Sequence, residues 1–341
     1  MNRLTGISLL LCLHTGFCIP GHAGMVDAQS NSALVGTPHI AEWNAPRVEH
    51  AYGLPETKVH DKGTLVINSE GLTFTGKSGS YSIPRSALLA VTTGTERVEL
   101  WGMKGRILRM AIPNGGGLAA AGVMHHKVNM LSIEFRDPRD GYHAAVFYLP
   151  AEEAERVMTS FADLPPAQTE DSELTLATPS ATCNHDSPGP RNILVTIPVW
   201  NHTDVPAAYR ALLYEHTVNR LQHLDGIGHV YREGEVFAQK SCPDYVIHMS
   251  VTAFRPGSQV KRAMMGPVGF FVGTTQMTFS VEIKDATGRL NVTDELKTTV
   301  RGESESKNVA DSVAKSIAKR YVSETKRFEK STENREGNAR L

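Results

Sequence analysis

The chain has 341 residues, 40% of them apolar and 21% charged, with a formal net charge of −1 at pH 7. This is the composition of an ordinary globular protein, and its balanced charge supplies no global field to attract nucleic acid or an anionic membrane. The length suits one to three domains, with two as the expectation, and no uninterrupted apolar run reaches the ~20 residues of a membrane-spanning helix.

Residues 1–23 read as a secretory signal. Arg3 supplies the basic start, "ISLLLCLHTGFCI" the apolar core, and "GHA", ending at Ala23, the small residues of a cleavage site; "VDA", ending at Ala28, is a second candidate. A lipid-anchoring box needs small residues just before a cysteine. Phe17 precedes Cys18 and Leu11 precedes Cys12, so a mature chain without lipid, exported to the periplasm or the outer-membrane periphery, is expected.

Residues 58–163 read as strands closed by one helix. "TLVIN", "LTFT", "YSIP", "ALLAVTT", "RVELWG", "RILRMAI", "MLSIEFR" and "HAAVFYL" alternate or carry short apolar runs, and "DPRDG" is a hairpin turn signal. "PAEEAERVMTSF" has the spacing of a helix packed on a sheet through Val157 and Phe161. Within this region "GLTFTGKS", residues 71–78, matches the phosphate-binding pattern G-x-x-x-x-G-K-[ST]. That loop works only where it opens a helix, with its amides free to wrap the anion. Here Leu72 and Phe74 alternate with Thr73 and Thr75, and "GSYSIP" follows as turn and strand. The match is therefore expected to be a strand with Lys77 in a hairpin, and no nucleotide is expected.

Residues 164–191 are rich in Pro, Ser, Thr and Asp, which is a linker by composition. Removal of the signal leaves two cysteines, Cys183 and Cys242, and in an oxidising compartment an even pair is expected to form a disulfide. Closing a loop of that size stabilises by about 4 kcal/mol on the chain-entropy model.

Residues 192–328 mix both periods. "NILVTIPV" reads as a buried strand, Asp204 and Pro206 open a helix carrying Leu213, Leu221 and Leu224, and "IGHVY", "DYVIHMSVTAF", "TTQMTFSVEIKD" and "LNVTDELKTTVRG" read as strands. Val309, Val313 and Ile317 recur every four residues on a closing helix, and residues 329–341 are a polar, fraying tail.

The remaining motifs carry little chemistry. Four S-x-x-K matches, among them Ser312 with Lys315 and Ser316 with Lys319, fall in one polar helix without the partner motifs S-D-N and K-T-G. His125 and His126 form the densest histidine cluster, but neighbours on a strand point to opposite faces; only in a loop would they converge on a metal. Neither cofactor nor metal is expected. The stretch "MMGPVGFFVG", residues 264–273, stands apart. Its bulky Met264, Met265, Phe270 and Phe271 among glycines read either as a packed strand connection or as a surface for a protein partner or a second copy of the chain.

The opening "GTLVINSEGLTF…YSIPRSALLAV" with its closing helix resembles bacterial pleckstrin-homology-like domains, which implies a mainly β barrel capped by a helix and used for binding. "ILVTIPV", "DYVIHMSVTAF", "GFFVG" and "FSVEIKDATGRL" resemble exported bacterial envelope proteins of unknown function. These are related in layout to curli-secretion-channel-type lipoproteins and to the N-terminal domain of TolB-like proteins. The resemblances imply an α+β chain, a mainly β unit followed by a β-α-β(n)-α mixed-sheet unit, acting as a non-enzymatic binding or scaffold protein of the cell envelope. A subunit of an outer-membrane secretion or assembly complex, with peripheral membrane association, is one alternative. A metal-dependent hydrolase using His125 and His126 is the other.

Overall fold

Alternating apolar and polar side chains build the first sheet, as a strand with one buried face requires. The computed structural model describes residues 42–99, 125–150, 152–161, 190–200, 205–237, 242–257, 274–300 and 306–339. Strands β1 (Trp43–Tyr52), β2 (Lys62–Ile67), β3 (Gly71–Gly76), β4 (Gly79–Pro84), β5 (Leu88–Glu99), β6 (His125–Arg136) and β7 (Tyr142–Leu149) form a seven-stranded sheet in the order β4-β3-β2-β1-β7-β6-β5. Every pairing in it is antiparallel. Among the described residues no pairing joins β4 to β5, so the strand path stays open. Leu65, Ile67, Leu72, Phe74, Ile133 and Phe147 fill one face, and the short helix α1 (Ala154–Thr159) covers them with Val157 and Phe161.

Strand β1 escaped the alternation rule, and its geometry explains why. Pro46 cannot donate to a ladder, Arg47 sits at φ 64°, and the register with β2 shifts between Ala45 and Val48. Such a bulge puts two residues against one and breaks the in-out period. Residues 88–93 of "ALLAVTT" and residues 97–99 of "RVELWG", expected as two strands, belong to the single strand β5, and residues 100–102 lie outside the described residues.

The second half contributes β8 (Arg191–Val195), β9 (Val199–Trp200), helix α2 (Ala207–Gln222), β10 (Ile227–Arg232), β11 (Tyr245–Arg255), β12 (Thr275–Asp285), β13 (Asn291–Val300) and helix α3 (Ser306–Ala339). Its six-stranded sheet runs β10-β8-β11-β12-β13, with β9 also pairing β11. β8 lies parallel to both β10 and β11, as a β-α-β crossover through α2 demands, while β11, β12 and β13 are antiparallel neighbours. The "DATGR" turn between β12 and β13 is held by Asp285, whose Oδ1 accepts from the Leu290 amide at 2.6 Å, with Gly288 at φ 71°. The molecule is therefore α+β. The polar segment expected to fray after residue 328 is helical as far as Ala339.

The linker separates the two halves in sequence, but they share a core. Residues 40–341 cluster as one compact unit. Ala51, Met130, Tyr142, Ala144 and Val146 of the first sheet join Ile193, Leu213, Phe279 and Val313 in a single buried cluster. Helix α2 makes this possible. Tyr214, Glu215, His216 and Thr217 are consecutive and all buried, so the helix has no solvent face there, and it packs on β6, β7, β10 and α3 together.

Candidate functional site

The P-loop match resolves into a strand and a turn. Residues 71–76 are β3, and the amides of Lys77 and Ser78 donate to the Asp61 carboxylate at 3.2 and 2.8 Å. The Ser78 hydroxyl also bonds Asp61. These hydrogen bonds, the Ser78 hydroxyl first, hold the Asp61 carboxyl below its ordinary range. The amides that a phosphate would need thus already serve a carboxylate of the same chain.

The densest buried chemistry lies where the first sheet meets α2 and β10. The Glu215 carboxylate accepts from both terminal nitrogens of Arg232 at 2.8 Å and from the Ala144 amide at 3.0 Å. Arg232 also donates to the Tyr142 carbonyl at 3.0 Å. His143 stands between two carboxylates, its Nε2 3.3 Å from Asp137 and its Nδ1 3.7 Å from Glu215, with its ring stacked on Phe135. Burial pushes the His143 pKa down, against the pull of Glu215, so the ring is neutral at pH 7. Burial works against the Arg232 charge too, but the Glu215 carboxylate outweighs it and holds that pKa above its ordinary value.

Backbone and loop contacts extend this junction. Tyr142 N donates to the Glu233 carbonyl at 3.0 Å, and Val236 N to the Arg139 carbonyl at 3.1 Å. Arg136 donates to the Glu233 carbonyl at 3.0 Å and to the Asp140 carbonyl at 2.7 Å. Gly234, at φ 84°, is required here, because a Cβ would fall 1.7 Å from the Arg136 Nη1 and 2.7 Å from the Asp140 oxygen. Arg139 pairs with Glu235 at 3.2 Å, and Glu235 with His229 at 3.2 Å. The "DPRDG" turn recognised in the sequence is thus also the first sheet's docking point on the loop after β10. Glu215, Arg232 and His143 carried no motif. The available signal was a Glu and an Arg placed among apolar neighbours, in "LLYEHTV" and "IGHVYR".

The other sequence candidates separate. His125 and His126 are successive residues of β6, a strand and not a loop. His216 is buried and stacked on Tyr52 at 4.2 Å, while His223 is exposed and bonds the Asn219 carbonyl at 2.7 Å. Among the described residues no three His, Cys, Asp or Glu groups converge as metal ligands do. Of the S-x-x-K serines, Ser316 donates to the Ser312 carbonyl at 3.0 Å and Ser323 to the Arg320 carbonyl at 2.9 Å, both within α3. The interface candidates Met264, Met265, Phe270 and Phe271, the helix-capping Asp204, and Cys183 lie outside the described residues; Cys242 is buried.

No family model matches the chain, and no curated protein matches it. Among solved structures, two crystals of the PelC dodecamer from Paraburkholderia phytofirmans match with 21% and 19% identity. They cover 38% of this chain and 83% and 84% of theirs, each at a TM-score of 0.26. A Xanthomonas campestris protein of the DUF330 family matches at 12% identity, covering 41% of this chain and 87% of that one, at a TM-score of 0.24. Scores at this level carry no argument about this chain. Among the described residues, no helix is long and apolar enough to cross a membrane.

Proposed function

We propose that the chain is an exported, non-enzymatic binding or scaffold protein of a bacterial cell envelope, in which two sheets act as one body. One observation carries the single-body part of this reading: the buried charge at the junction ties the halves together. Glu215 has both oxygens bonded by Arg232, one of them also by the Ala144 amide, and Arg232 donates to the Tyr142 carbonyl as well. A reactive carboxylate needs an open approach and a group to act on; this one is 4% exposed and already hydrogen-bonded.

In this reading the first sheet with α1 is a pleckstrin-homology-like binding unit. The antiparallel order of its strands and the helix packed on its apolar face support it. The second half is an envelope-protein-like β-α-β(n)-α unit, and its element order supports that. Residues 264–273 remain the proposed contact for a protein partner.

Two measurements test this. Intact mass of the protein from an envelope fraction should show loss of the signal at Ala23 or Ala28 and no diacylglyceryl group. Sedimentation with and without detergent should give the same particle. A lipidated Cys18 sinks the lipid-free export reading, and a detergent-dependent assembly favours a subunit of an outer-membrane complex instead. Phe270→Ser and Phe271→Ser, made singly, test the contact. One of them should weaken association at an unchanged thermal midpoint, and destabilisation by both without a change in association refutes it.

A further inference from the structure

We propose that the edge of β13, which no described strand covers, pairs with the same edge of a second copy of this chain, antiparallel about a two-fold axis at Leu296, so that two six-stranded sheets run on as one. This goes beyond the reading above, because it concerns the edge of β13 and needs neither export nor residues 264–273.

The two edges of the second sheet differ. At β10 the strand is short, its register with β8 shifts between Ile227 and Val230, and side chains cover its backbone. Val230 N donates to the Gln222 side chain at 2.8 Å, Gln222 donates to the Gly228 carbonyl at 3.3 Å, and Arg232 N donates to Glu235 at 3.0 Å. Those are the devices that blunt an edge against further pairing. At β13, among the described residues, there is no register shift and no side-chain bond to the outer backbone; its charges are Glu295 and Lys297 on one face and Asp294, paired with Arg320, on the other. The strand holds ten consecutive pairs with β12, from Thr275↔Val300 to Lys284↔Asn291, without a shift. It contains neither Pro nor Gly, it ends the strand path, and no described side chain or loop backbone group bonds its outer side. Its inward residues Val292, Leu296 and Val300 are only half-buried against the core, as on a sheet that stops one strand short.

The sequence of β13 then selects the occupant. Residues directly opposite in an antiparallel pair share a face, so a strand pairing with its own copy must set odd residues against odd and even against even. With Leu296 on the axis, Glu295 faces Lys297 and Lys297 faces Glu295, while Thr293 faces Thr299. On the other face Val292 meets Val300, Leu296 meets Leu296, and Asp294 meets Thr298. Opposite charges, threonines and branched apolar side chains are the pairs that stabilise a sheet. Neighbouring registers lose this. An axis at Glu295 or Asp294 sets two carboxylates face to face, and one at Lys297 sets two ammonium groups face to face and Asp294 against Val300. An axis at Thr298 leaves an overlap of only residues 296–300.

Sedimentation velocity of the full chain over a range of concentrations tests this. The wild type should form a reversible dimer. Lys297→Glu sets Glu against Glu twice across the axis and should raise the dimer dissociation constant by about tenfold or more, with the thermal midpoint of dilute, monomeric samples unchanged because the residue is exposed. Glu295→Lys combined with Lys297→Glu recreates both opposite-charge pairs in the same register and should restore the dimer. A wild type that stays monomeric at every concentration overturns the proposal. So does an association that Lys297→Glu leaves intact, or one that the double swap fails to restore in a folded protein. Either of the last two results means that another surface or another partner strand holds the copies together.

Discussion

Replacing Arg232 with Met removes the cation from the junction and leaves the rest of the fold in place. Glu215, whose side chain is 4% exposed, then keeps the Ala144 amide, with the His143 ring 3.7 Å away. The Tyr142 carbonyl loses its guanidinium donor as well. Leaving one member of a buried ion pair uncompensated costs about 3–5 kcal/mol. A domain's whole stability is roughly 5–15 kcal/mol, so the variant should lose a large fraction of it. Urea unfolding followed by circular dichroism and tryptophan fluorescence measures the loss. Adding Glu215→Gln should recover part of it, because Gln still accepts from Ala144 but carries no charge. The reasoning fails if Arg232→Met costs under about 1 kcal/mol, or if Glu215→Gln lowers stability further in the Arg232→Met background. It also fails if the wild type unfolds in two separate steps, since sheets that share one core must melt together.

Burial pushes the His216 pKa down to about 4, against about 6.5 in an unfolded chain. The unfolded state therefore binds the proton first, and stability present above pH 6.5 falls as pH drops toward 4, by up to about 3 kcal/mol from this group. The lowered values of His50 and His143, also set mainly by burial, act with the same sign. Thermal midpoints across that range should fall, and His216→Phe, which keeps the stack on Tyr52, should flatten the slope; an unchanged slope refutes the assignment. Lys77→Ala should leave the thermal midpoint unchanged and ATP binding undetectable, since among the described residues only the Lys77 backbone is engaged; measurable ATP affinity in the wild type that vanishes with the side chain overturns this. Denatured, unreduced protein lacking its signal should show no free thiol, because Cys183 and Cys242 are expected to be bridged; two free thiols refute this.

Strands β12 and β13 were legible because their side chains alternate without interruption, and β8 because it is a short apolar run. β12 buries every second residue from Thr275 to Asp285, and the sequence shows the same period. The P-loop match could be set aside for the same reason: Leu72 and Phe74 share a face only if residues 71–76 are extended. β1 was illegible because Pro46 and the left-handed Arg47 interrupt its period, and only pairing with β2 and β7 makes it a strand.

Local pattern thus determined the element types, the turn at residues 285–288, the strand nature of residues 71–76 and the packing of Val157 and Phe161, because each depends on side-chain spacing within a few residues. The junction depended on pairs far apart in the chain: Glu215 with Ala144, Arg232 with Tyr142, and His143 between Asp137 and Glu215. Nothing in the spacing of residues 137–144 or 215–232 specifies that they meet. A Glu inside an apolar helix tolerates burial only where a cation and an amide are brought to it, and that placement belongs to the packing of α2 between the first sheet and β10.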